Sequence, residues 1–195
     1  MQKINKSTLS GTLYHTWYVY AVAAGLLTLL WLWAFMAYHQ PKAHEKLEIY
    51  FSENLTSEKF LKDIQNKYDK KDLREVTPIY GNNTAKLKIG LNNADMFIFA
   101  KGNVESLPSD YYTPINSYIQ EKLGVEDSQI LNGKGVLLRQ YGTPHYLDNY
   151  IEFGDMDYYI VFSSKSQNLG AAIKEDNAPH DHALTFAKYL IEGIE

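Results

Sequence analysis

The polarity pattern divides the chain at once. Residues 17–38, WYVYAVAAGLLTLLWLWAFMAY, run without a single charged side chain. A helix of that length reaches about 33 Å at about 1.5 Å per residue, enough to cross a hydrocarbon core of about 30 Å. Aromatic residues stand where headgroups favour them, Trp17 at the first end and Trp31 and Trp33 toward the second. The pattern predicts one transmembrane helix with these three tryptophans as anchors. The stretch is longer than a signal-peptide core, and Ala37-Tyr38-His39-Gln40-Pro41 offers no small-x-small cleavage site. An uncleaved single crossing is therefore expected. Ala21 and Gly25, four apart, would let a second helix approach closely.

Residues 39–46, HQPKAHEK, read as a linker in which Pro41 stops the helix. From 47 onward the pattern becomes that of one α/β domain. LEIYFS (47–52) is strand-like, and Phe60, Leu61, Ile64 and Tyr68 follow helical spacing within 57–68, with the Lys/Asp-rich 69–72 ending that helix. The segment 74–80 predicts an edge strand, because Pro78 lacks a donor. Ala85, Leu87, Ile89 and Leu91 alternate with polar residues, which says strand; Ala, Lys and Leu are also good helix formers, so a short helix competes. ADMFIFA (94–100) and DYYIVFS (157–163) are continuous apolar runs of the kind buried on both faces, most often in a parallel sheet. Thr113-Pro114 predicts a helix start, with Gly124 as its end. Asn132-Gly133 is a hairpin signal, followed by a strand over 135–141. A last helix is expected over 179–194, with Ala183, Phe186, Ala187 and Leu190 inward. The expected fold is a mixed, largely parallel sheet flanked by helices.

Charge supplies an orientation. Residues 1–16 hold Lys3, Lys6 and no acid, and all 23 acids lie beyond the apolar segment. The positive-inside bias then favours a cytoplasmic tail at 1–16 and a domain outside the plasma membrane. With no cysteine, the chain has no disulfides, zinc ribbon, thiol nucleophile or lipidated anchor. A net charge of −4 argues against nucleic acid as partner. HExxH, GxSxG and Walker loops are absent from the sequence, so no catalytic motif and no cofactor is expected.

Three segments resemble the extracellular solute-binding proteins of ABC transporters, of the type 2 periplasmic-binding fold. LEIYFS with SEKFLKDIQNKYD is similar to that family's opening strand and helix. LKIGLNNADMFIF is similar to its segment in which a small residue and Asp precede a buried strand. YYIVFSSKSQN with HDHALTFAKYLIEG is similar to a late strand and its following helix. The length fits one reduced lobe. The resemblance places Asp95 and Asn168 at matched positions and implies a recognition role beside a membrane transporter or envelope complex.

Other candidates come from the residues. Tyr141, Tyr146 and Tyr150 cluster in a turn-rich stretch and offer stacking area and hydroxyls to a protein partner, a small solute or a carbohydrate. His180-Asp181-His182 has metal-binding chemistry and supports the alternative of a metal-dependent envelope enzyme. Against that, residues i and i+2 diverge on a helix, and Pro179 with Asp181 also suits an ordinary first turn. Asp155-Met156-Asp157 could hold a divalent cation or form a plain loop.

Overall fold

The computed structural model describes residues 6–67, 73–81, 83–170 and 180–193, with side chains from residue 16 onward. Lys3, Tyr68, 69–72, Pro179 and Ile194, each given a place from the sequence, lie outside the described residues. The chain separates into two compact units, Met1–Gln40 and Pro41–Glu195.

The first unit is helix α1 (Lys6–His39). Its segment Thr16–His39 has a mean hydropathy of 2.0, long and apolar enough to cross a membrane. Trp17, Trp31 and Trp33 are each about two-thirds exposed, at 64, 64 and 67 %. Apolar side chains all round a helix are costly in water, and a lipid phase removes that cost.

The second unit is a six-stranded sheet covered on both faces. Its elements in chain order are β1 (Lys46–Phe51), α2 (Lys59–Lys67), β2 (Glu75–Tyr80), α3 (Thr84–Asn93), β3 (Met96–Ala100) and α4 (Lys101–Ser106), then α5 (Ser117–Leu123), β4 (Ile130–Leu131), β5 (Gly135–Arg139), β6 (Tyr158–Phe162) and α6 (His182–Glu192). The strand order is β2-β1-β3-β6-β5-β4. Pro78 sits on the edge strand β2, opposite Ile49, where a missing donor is tolerated.

Alternation along the strands sorts the core into two layers. Leu47, Ile49 and Phe51 face α2, α5 and α6, while Tyr50, Phe97 and Phe99 face α3 and α4. Fully burying one such side chain contributes about 1.5–3 kcal/mol. Phe60, Leu61 and Ile64 supply the buried face of α2, as their spacing requires.

Two expectations are corrected, and one that was left open is decided. The sheet is mixed but not largely parallel: β1 pairs parallel with β2 and β3, whereas β3–β6, β5–β6 and β4–β5 are antiparallel. Met96–Ala100 and Tyr158–Phe162 are buried on both faces because helices cover both sides, and that burial says nothing of strand direction. Of the two readings open for 85–91, the helix holds: the segment lies in α3. Asn83 caps that helix by accepting the Lys86 N–H at 2.8 Å; Leu87 and Leu91, one turn apart, pack inward, and Ile89 is 50 % exposed. Thr113-Pro114 does not start α5. Thr113 is tied to the sheet through its N–H to Phe162 O at 2.8 Å and its hydroxyl to Ser163 O at 3.1 Å, and Asn116 caps the helix at Ile119 N–H, 3.0 Å away.

The hairpin signal holds. Asn132 and Gly133 have φ of 51° and 68°, and Lys134 N–H closes the turn on Leu131 O at 2.9 Å.

Candidate functional site

Strand order reverses around β1. The chain leaves β1 through α2 toward β2 on one side, and comes back through α3 to β3 on the other. Because α2, which follows β1, and α4, which follows β3, cover opposite faces, the loops after β1 and β3 diverge. In open α/β sheets this is where a crevice opens at the carboxyl ends of the strands. Here it holds about 350 Å³. That lies at the small end of ligand-sized pockets, about 300–1,000 Å³.

The floor of the crevice is apolar. Tyr50 and Phe99 meet edge to face with ring centroids 5.6 Å apart, and Leu87 and Leu91 of α3 and Leu107 after α4 surround them. Gly90 carries no side chain where α3 crosses Tyr50, so the helix backbone comes down onto that ring. The Tyr50 hydroxyl donates to Gly81 O at 2.8 Å. Burial, with a smaller contribution from Glu53, raises its pKa.

The rim is polar. Ser52 and Glu53 follow β1, and Asn103 and Ser106 come from α4. Ser52 N–H still bonds Ile98 O at 3.0 Å, so the rim is continuous with the sheet. Glu53 Oε1 accepts the Tyr158 hydroxyl at 3.0 Å, and Tyr158 accepts the Gly154 N–H at 2.9 Å. Burial first, and then the bond to Glu53, pushes the Tyr158 pKa up to about 12. The α4 wall is held from the β4–β5 turn: Lys134 Nζ donates to Glu105 O at 2.8 Å and Leu107 O at 3.0 Å.

The residues singled out from the sequence lie elsewhere. Tyr141 is 56 % exposed, but Tyr146 and Tyr150 are half-buried against the core. Tyr146 donates to Tyr189 O at 3.1 Å, burial raises its pKa, and Tyr150 packs on Phe60 with centroids 5.4 Å apart. Asp157 Oδ1 accepts the Tyr141 N–H at 2.8 Å.

Asp95 and Asn168 come together at the opposite end of β1. Asp95 accepts the Glu48 N–H at 2.9 Å and the Ser166 hydroxyl at 2.7 Å; Asn168 donates to Lys46 O at 2.8 Å. Burial raises the Asp95 pKa, and those hydrogen bonds partly oppose the shift. An open cavity of about 310 Å³ adjoins them. Both of its lysines are already paired, Lys46 with Glu48 at 2.6 Å and Lys165 with Asn92 at 3.1 Å.

The His180 ring stacks between His44, at 4.4 Å and 4°, and His182, at 5.3 Å and 21°. Asp181 instead takes the Tyr118 hydroxyl and pairs with Lys122 at 3.6 Å. Among the described residues no three His, Asp or Glu side chains are placed to hold a metal ion.

Sequence reasoning missed Tyr50, Ser52, Glu53, Asn103 and Ser106. Their one visible signal is a polar pair, Ser52-Glu53, immediately after a buried strand. No family model, curated protein or solved structure matches the chain.

Proposed function

We propose that this chain is a single-pass membrane-anchored recognition protein, with residues 1–16 in the cytoplasm and the α/β domain outside the plasma membrane. It works without catalysis, as an accessory or solute-binding-like component of a transporter or envelope complex. The crevice at the carboxyl ends of β1 and β3 carries this reading: an apolar floor with a few placed polar groups is the composition of a ligand site. The span-length helix α1 supports the anchoring, and the three resembling segments, which form β1–α2, α3–β3 and β6–α6, support the solute-binding comparison. An open crevice encloses little of a small ligand, so binding is weak until a membrane partner completes the enclosure. The metal-dependent alternative rests on His180 and His182, whose rings stack on each other.

The test uses intact cells producing the full chain, with a photocrosslinking residue at Asn103. The product should stay in the membrane after carbonate washing, retain its N-terminus, and lose its domain to protease added outside. Crosslinking should recover a transporter permease. Release by carbonate, cleavage after α1, or a domain that resists external protease yet is digested after lysis would overturn the proposal.

A further inference from the structure

We infer that the crevice selects a small organic cation, an ammonium group on an apolar body, with Glu53 as its counter-charge. The inference rests on the crevice being the recognition site. Among the described residues lining it, Glu53 is the one that carries a charge. Both hydrogen bonds to its carboxylate fall on Oε1, from Tyr158 at 3.0 Å and from Ser52 at 3.5 Å, the second long. Oε2 receives none from the described residues.

No lysine, arginine or histidine among the described residues pairs with Glu53. Three other acids differ in this. Glu48 pairs with Lys46, Asp148 with Arg139 at 2.6 Å, and Asp181 with Lys122. The domain thus leaves one rim carboxylate uncompensated beside an apolar floor.

That arrangement discriminates by charge. A neutral ligand on the floor strips water from Glu53 and returns nothing to the carboxylate. An anion adds repulsion. An ammonium supplies the missing charge and donors at Oε2, while Leu87, Leu91 and Leu107 cover its apolar body. Discrimination of at least about tenfold is expected, the ratio that about 1.4 kcal/mol sets.

The experiment is a titration of the full chain in detergent micelles, followed by amide chemical shifts of Ser52, Asn103 and Ser106. The probes are pentylammonium, its uncharged isostere 1-pentanol, and pentanoate. Pentylammonium should shift these amides saturably and at least about tenfold more tightly than either other probe. Glu53→Gln, which still offers Tyr158 an acceptor, should abolish that preference; Glu53→Asp and Glu48→Gln should keep it. Equal binding of all three probes, or an unchanged preference in Glu53→Gln, overturns the cation assignment and leaves the crevice as a ligand site. If none of the probes moves these amides, both the cation assignment and the crevice reading fall.

Discussion

Gly90 of α3 lies so close to the Tyr50 ring that a Cβ at this position would stand 2.4 Å from Tyr50 Cδ2 and 2.6 Å from Cγ. Alanine is the better helix former by about 1 kcal/mol. Here the steric cost dominates, because overpacking a filled site costs about 1–3 kcal/mol. Gly90→Ala should therefore lower stability in chemical denaturation and move Tyr50, the floor of the crevice. A more stable Gly90→Ala protein would show that α3 can lift off β1 without penalty.

Tyr158 joins the start of β6 to the crevice acid. Tyr158→Phe removes a hydrogen bond to a carboxylate and leaves the Gly154 N–H without its acceptor, a loss of about 1.5–3 kcal/mol. The pH dependence has a definite sign. The native pKa of about 12 lies above the ordinary ~10, so the native state holds the proton more tightly than the unfolded chain. This stability is full below pH ~10 and is lost as pH rises through about 12. The difference between wild type and Tyr158→Phe, measured by denaturation across alkaline pH, should shrink over that window.

Asp95 behaves as a structural acid. Its pKa is raised by burial, so the native state binds this proton more readily than the unfolded chain. Its contribution is complete below the ordinary ~3.9 and declines as pH rises through the higher native value. Asp95→Asn keeps an acceptor for the Glu48 N–H and removes the ionisation. It should match the wild type below pH ~3.9 and become the more stable of the two as pH rises through the native pKa, because only the wild type then carries the buried charge. Asp95→Ala leaves that N–H and the Ser166 hydroxyl unpaired and should cost about 2 kcal/mol or more.

Lys134 clamps the end of α4 from a hairpin turn. Lys134→Met keeps the aliphatic stem but loses the bonds to Glu105 O and Leu107 O, a change of about 1 kcal/mol for a half-buried residue. The Leu107 amide, which donates to Val104 O at 3.2 Å, should then exchange faster with solvent. Unchanged exchange there would mean that the α4 wall stands without the clamp.

Local pattern was enough for much of this chain. An uncharged run of 22 residues needs no tertiary partner to declare a span-length helix. Phe60, Leu61 and Ile64 reveal α2 by spacing, Pro78 marks an edge, and Asn132-Gly133 marks a turn, because each effect acts within a few residues. Strand direction and the crevice were not legible in that way. Burial on two faces is the same for parallel and antiparallel neighbours, so β6 could be found but not oriented. The alternation at 85–91 was resolved by the Asn83 cap and by the fit of Gly90 on Tyr50, 40 positions away in sequence. Glu53, Asn103 and Tyr158 became one site only when β1, β3 and β6 were laid side by side, because a crevice depends on which strand ends are neighbours, and periodicity along the chain carries no record of that.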